Sequence, residues 1–291
     1  MERFDLKMPK KLIKHGLFNA YIRVLAWHKS SRNGFPIFIV GTGRSGTHFL
    51  AKTLRSHSEL TDLTWGRENP YVFRLVTQAA LAEAQNKKII PIIIDRYKRL
   101  LRAAAPRNLV DQSHPNLWHA EQLVSSFPKS KFLLLVRNPY SVVYSMLNHN
   151  AVKNWALEWN KYNIPNRFLG IDQENIQLYE EMSLVERCAV RWIAHYERAR
   201  EVQSKIPDNV LFLLYEDLCN DPSQNLSRVQ GFLGLSTPFL TPRVNEQSIN
   251  KRNNLSKPDR DAIRKAILNY VSCQGREWLR SDKQLLKILA W

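Results

Sequence analysis

The segment Gly41-Thr-Gly-Arg-Ser-Gly-Thr-His48 sets three glycines, three hydroxyl residues and two basic residues in eight positions. Glycines let a main chain approach a ligand closely, and backbone N–H groups running into a helix start form a concave anion site. These residue types suit a phosphate. The spacing from Gly41 to Gly46 meets half of the nucleotide-triphosphatase loop pattern, but Thr47 stands where that pattern requires lysine. The loop is expected to hold phosphate without an ATP-type lysine. A second pair, Arg137 and Ser145, would bring a bidentate guanidinium and a neutral hydroxyl donor to one phosphate across a strand-to-helix junction. Taken singly, each has a plainer reading: an ordinary turn, an Arg at a strand edge, a Ser facing solvent.

Positioning these groups requires particular elements. Pro36 to Val40 is an apolar run that reads as a strand emptying into the loop, with an amphipathic segment after it. Lys131 to Val136 suits a strand buried on both faces, and Tyr140 to Asn148 reads as the helix that follows Arg137-Asn-Pro139. Leu109 to Asp111 is a short strand, Val210 to Tyr215 a buried one, and Leu184 to Lys205 a long helix with Cys188, Trp192, Ile193 and Tyr196 on one face. The alternation predicts an α/β fold, a central parallel sheet flanked by helices, with ligand loops at the strand C-termini. Asn148 to Glu181 lacks periodicity and is the expected acceptor-side insertion. There Trp155, Trp159 and Tyr162 would stack on an acceptor or, more commonly, pack in the core.

With 291 residues and 44% hydrophobic content, the chain can bury one full core. Forty-three Lys and Arg against 26 Asp and Glu leave +17, a field that attracts nucleotides, nucleic acid and anionic membranes without choosing among them. The basic residues are dispersed and match no nucleic-acid module, so no specific nucleic acid is expected. Cys188, Cys219 and Cys273 show neither metal spacing nor a disulfide framework, which suits a reducing compartment and implies no metal. Apolar runs such as Ile89 to Ile94 fall far short of the roughly 18 residues a span requires. Residues 1–30 lack a signal-peptide core, so a cytoplasmic location is expected. Leu12, Ile13, Leu17, Phe18, Tyr21, Ile22, Leu25 and Ala26 recur at helical spacing among Lys10, Lys11, Lys14, Arg23 and Lys29. This basic amphipathic segment, residues 1–30, either packs on the domain formed by residues 31–291 or lies peripherally on the inner face of a membrane.

Four segments, in order, resemble the sulfotransferase family: Gly41 to Leu50; Arg137-Asn-Pro with Ser145; Tyr215-Glu-Asp-Leu218 with Asp221-Pro222; and Phe232-Leu-Gly-Leu235. Together they cover residues 36–235. Ser56 to Leu60, Gly66-Arg-Glu-Asn69 and Lys131 to Met146 look most like its tyrosylprotein branch. The resemblance implies a P-loop-like sulfotransferase fold and transfer of a sulfuryl group from 3′-phosphoadenosine 5′-phosphosulfate (PAPS) to a hydroxyl. It implies that Thr42, Gly43, Arg44, Ser45, Gly46, Thr47 and His48 wrap the 5′-phosphosulfate, with Arg44 in place of the family's loop cation. Arg137 and Ser145 would hold the 3′-phosphate, Tyr215 would lie near the adenosine or merely end a strand, and Lys251 or its neighbour Arg252 would reach the phosphates.

For the base, the resemblance offers Glu68, where the tyrosylprotein and heparan branches carry a glutamate, and His114, about where the cytosolic branch carries a histidine. Glu68 is preferred on its flanking residues. Gln112 departs from the pattern, standing where several branches carry a lysine, so Arg44 alone, or His114, Lys52 or Lys251, would have to serve the leaving group. A carbohydrate or lipid-linked glycan is the expected acceptor, since a chain without a secretory route would not meet peptide tyrosines. The alternatives are a P-loop small-molecule kinase and a nonenzymatic polyanion- or membrane-surface-binding protein.

Overall fold

The computed structural model describes residues 15–27, 34–64, 66, 68–82 and 86–290. Five parallel strands form one sheet in the order β2-β3-β1-β4-β5, where β1 is Pro36–Gly41, β2 Leu60–Thr61, β3 Asn108–Asp111, β4 Lys131–Val136 and β5 Val210–Leu214. All six residues of β1 are buried, as a central parallel strand with no solvent face requires. Ile37 and Ile39 enter one core with Leu133, Leu135 and Leu213, while Phe38 and Val40 enter the other with Phe132, Leu134 and Val136. Each such side chain contributes about 1.5–3 kcal/mol when buried, so the register that aligns Ile37 with Lys131 and Gly41 with Leu135 is strongly held.

The helices, in chain order, are α1 His15–Trp27, α2 Thr47–Arg55, α3 Phe73–Leu81, α4 Asn86–Ala104, α5 Ala120–Ser126, α6 Pro139–Leu147, α7 Asn150–Leu157, α8 Ile176–Glu181, α9 Leu184–Lys205, α10 Tyr215–Asn220, α11 Pro222–Leu233, α12 Glu246–Ile249 and α13 Lys257–Ser272. Helices α2, α10 and α11 cover one face of the sheet, and α1, α3, α4, α6, α9 and α13 the other. From β1 the chain moves to β2 and β3 on one side, then returns to β4 and β5 on the other. The crevice beyond the C-terminal ends of β1 and β4 is therefore a topological switch point, where open α/β sheets bind ligands.

Helix α9 has the expected bounds, started by a capping box in which Ser183 accepts from the Glu186 N–H. One expectation needs correction. Strand β5 ends one residue early and Tyr215 opens α10, because β4 offers its last pairing partner at Val136 opposite Leu214. The Ile89–Ile94 run lies inside α4, a 19-residue helix that runs through Pro91. Residues 148–181 hold α7, the turn Trp159–Lys161 and α8, and Trp155, Trp159 and Tyr162 pack against the core, the commoner of the two uses expected of them. Trp155 meets Phe168 edge-on at 5.3 Å and Trp159 meets Tyr179 at 5.6 Å, while Tyr162 packs half-buried. Of the N-terminal segment, Lys10 to Lys14 and Lys29 lie outside the described residues. No helix among the described residues is long and apolar enough to cross a membrane.

Candidate functional site

The loop after β1 turns on backbone conformations with positive φ: 145° at Gly41, 79° at Arg44 and 96° at Gly46. Gly46 is a position where a side chain does not fit. A Cβ there would lie 2.3 Å from Cδ2 of Tyr215, which packs beneath the loop. Helix α2 then starts without any side-chain cap, leaving its first N–H groups for an anion. Gly46→Ala should force Tyr215 aside and strain the turn. We expect a melting temperature roughly 3–8 °C lower, from about 1–3 kcal/mol of strain and repacking, together with weaker nucleotide binding. Differential scanning calorimetry beside titration calorimetry would check both, and an unchanged melting temperature would contradict the packing described.

A cavity of about 240 Å³ opens above this loop, lined by Gly43, Arg44, Gly46, Thr47, His48, Phe49, Glu68, His114, Arg137, Ser145, His149, Val152, Tyr215, Ser248 and Lys251. Segments from six separate parts of the chain thus meet at the switch point. Thr42 and Ser45 are buried within the loop without lining the cavity. Lys251 lines it and Arg252 does not, which separates the two basic candidates that their adjacency left equivalent. Lys52, offered as a substitute cation, is exposed and lies outside the lining. Gln112 is buried, its amide bonded to nothing, and also lies outside it. A larger hollow of about 840 Å³ lies at the opposite strand ends beside Phe35, Pro36 and Asn108, away from the crevice where ligand loops converge.

Three cations converge. The Arg44 Nε donates to Ser145 Oγ at 3.0 Å, linking the loop to α6. The Arg137 guanidinium lies 4.4 Å from the ring centroid of Tyr215 and donates through Nη2 to the Ser248 carbonyl, leaving Nε buried and unpartnered. Burial lowers the pKa of Arg137, and burial together with Arg137 and Arg44 lowers that of Lys251. Among the described residues none of the three makes an ion pair. Such a cluster is costly until an anion enters it.

The frame around Arg137 was missed from sequence. Asn138 caps α6 by accepting from the Ser141 N–H at 2.8 Å, and Glu216 accepts the Asn138 backbone N–H at 3.0 Å. Trp192 on α9 donates its indole N–H to the Arg137 carbonyl at 3.0 Å, and Tyr215 donates to Ser248 Oγ at 3.0 Å. Residues 215–218 thus brace the junction from across the sheet, a role beyond ending a strand.

The two candidate bases hang from one buried hub. Asp111, at the end of β3, accepts from Asn69 Nδ2 at 2.7 Å, the Ser113 N–H at 2.8 Å and Tyr97 OH at 3.1 Å. Burial nevertheless holds its carboxyl above the usual range. Asn69 adjoins Glu68, and Ser113 adjoins His114, so the hub sets both approaches to the cavity. Glu68 is exposed at the rim and partly offsets the burial that lowers the pKa of Arg44. His114 is buried with Nε2 unpartnered, and a Cβ on Gly43 would lie 2.9 Å from that nitrogen. Burial first, then Arg191, His48 and Arg44, bring its pKa down to about 3, so the ring is neutral near pH 7. His149 and Val152, absent from the sequence expectations, complete the rim from the start of α7.

Comparison with known proteins bears on this site. Residues 36–238 match the family model described as "Sulfotransferase family". A nodulation protein of Sinorhizobium fredii, NoeE, is 30% identical over 127 residues, which is 38% of this chain, and the match spans only 30% of that relative's length. A sulfotransferase domain from the curacin biosynthetic pathway is 19% identical, with a TM-score of 0.49 over 76% of this chain and 78% of the other. One from the Synechococcus olefin synthase is also 19% identical, with a TM-score of 0.49 over 84% of this chain and 97% of the other.

Proposed function

The chain belongs to the sulfotransferase family, and from that premise we propose that its cavity binds PAPS and directs the sulfuryl group to a hydroxyl of a carbohydrate or lipid-linked glycan. One observation carries the reading: Arg44, Arg137 and Lys251 meet the uncapped start of α2 in a single cavity without a carboxylate bonded to any of them. The residues fit a donor with two separated phosphates. The amides and Arg44 of the loop would hold the 5′ side, and Arg137 with Ser145 the 3′-phosphate. Tyr215, beneath the loop and stacked with Arg137, would serve the adenosine through that arrangement. The loop that lacks lysine at Thr47 speaks against the kinase alternative.

The donor supplies an activated sulfur centre, where one S–O bond forms as the other breaks. Charge then gathers on the departing phosphate oxygen, and Arg44, Lys251 and the loop N–H groups stand where they would stabilise it. Glu68 would accept the acceptor's proton as the new bond forms. Glu68, His114 and His149 line the cavity and would offer an acceptor polar groups suited to sugar hydroxyls. A second reading makes His114 the base, favoured by its buried, unpartnered Nε2 beside Gly43.

Turnover of a glycan and lipid panel, followed by mass spectrometry, would test the pair. With Glu68 as base, Glu68→Gln lowers kcat by roughly 10²–10⁴-fold with donor affinity kept, while His114→Asn costs much less. The reverse pattern would transfer the role to His114. Tight binding of ATP with magnesium in preference to 3′-phosphoadenosine 5′-phosphate would defeat the donor assignment.

A further inference from the structure

Helix α1 has two apolar faces. One inserts Phe18 and Ile22 into the core against α4, at 2% and 0% exposure. The other runs through Leu17, Ala20, Val24 and Trp27 at the three- and four-residue spacing of a helix stripe and faces water, with Leu17 52%, Val24 58% and Trp27 87% exposed. Ile92, on the helix that α1 packs against, is 48% exposed. An internal packing role accounts for the first face and leaves the second without a partner among the described residues.

Charge identifies what covers it. Between Asp5 and Gly34 the sequence holds seven Lys and Arg and no acidic residue. Arg23 lies exposed on α1, and α4 adds Lys88, Arg96, Lys98, Arg99 and Arg102 against Asp95 alone. A second copy of the chain would set two basic faces against each other. An anionic bilayer offers both the apolar depth and the opposite charge, and a tryptophan at the end of the stripe suits the headgroup boundary.

We propose that the outer face of α1 docks on anionic membrane surfaces, Leu17, Val24 and Trp27 entering the interface while the flanking cations meet lipid phosphates. The inference is independent of what the cavity binds.

Sedimentation of the full chain with vesicles tests it. Vesicles of phosphatidylcholine containing roughly one-third phosphatidylglycerol should bind at least about tenfold more tightly than phosphatidylcholine alone, and added salt should weaken the binding. The triple variant Leu17→Ser, Val24→Ser, Trp27→Ser should lose at least about tenfold while keeping its melting temperature and its affinity for 3′-phosphoadenosine 5′-phosphate. Should that variant not fold, Arg23→Glu, which leaves the stripe intact, should still weaken anionic binding several-fold. Vesicle binding equal in wild type and variants, or absent from wild type, overturns the proposal. A wild-type dimer seen by light scattering without lipid, and dissolved by the triple substitution, would assign the face to a second copy instead.

Discussion

Replacing Arg137 by alanine will abolish the preference for a nucleotide bearing a 3′-phosphate. Affinity for 3′-phosphoadenosine 5′-phosphate should fall by roughly 10²–10³-fold, while affinity for adenosine 5′-phosphate changes less than about threefold. The size follows from two charge-assisted hydrogen bonds of about 1.5–3 kcal/mol each, reduced for the one that Arg137 already makes to Ser248. The guanidinium is 2% exposed and held in place by the Tyr215 ring below and the Trp192 indole at its carbonyl, so little ordering remains when ligand arrives. Arg137→Lys should recover only part of the loss, because an ammonium cannot reproduce the planar fork. Ser145→Ala should cost less, about tenfold, since the neutral hydroxyl contributes one donor and also holds Arg44. Titration calorimetry with both nucleotides decides the matter. Equal losses for the two ligands at an unchanged melting temperature would place Arg137 on the 5′ side and sink the assignment.

The legible parts of this site are those in which spacing along the chain equals spacing in the fold. Arg137 closes β4 and Ser145 lies on α6, so one strand end and about two helical turns bring them to one cavity. The loop from Gly41 to His48 declares itself because its glycines must take positive φ or admit Tyr215 or His114 at close range. Central strands declare themselves too, since β1 and β4 have no polar face. The supports were hidden for the converse reason. Asp111 gathers Asn69, Tyr97 and Ser113 from three segments, and nothing local marks a buried carboxylate among ordinary strand residues. Glu216 and Ser248 brace Arg137 from 79 and 111 residues further along the chain. Strand β2, two residues long, carries no periodicity at all. For Trp155 and Trp159 composition leaves stacking on an acceptor open beside the commoner core packing, and Phe168 and Tyr179 engage them edge-on in the core. The choice of Lys251 over Arg252 turns on the rotation between neighbours in the turn Asn250–Asn254, which composition does not encode.

Acidification from pH 7 to pH 5 should strongly destabilise this protein well before its surface carboxylates titrate. Three histidines are buried in the neutral form: His114 with a pKa of about 3, His119 of about 4, and His195 well below its ordinary value. Burial is the leading cause in each, with Arg191 adding to it at His114 and His195. In the unfolded chain the same rings titrate near 6.5. Between the folded and unfolded values the unfolded state binds protons that the native state refuses, so stability rises with pH across this window and is fully present above about 6.5. Each ring contributes up to about 1.4 kcal/mol per pH unit, hence about 4 kcal/mol per unit for three. Asp111 and Glu216, whose carboxyls burial holds high, act in the opposite sense as they take up protons, which trims the net loss. A loss of about 5 kcal/mol by pH 5 would still approach the whole stability of an ordinary domain. Thermal melts at half-unit steps should show the midpoint falling by roughly 10–20 °C between pH 7 and pH 5. His114→Asn, whose amide does not titrate, should flatten that slope by about a third even if it lowers stability at pH 7. A midpoint independent of pH over this window would mean that the three rings take up protons in the fold as readily as in the unfolded chain, and a His114 kept neutral well below pH 6.5 would go with them.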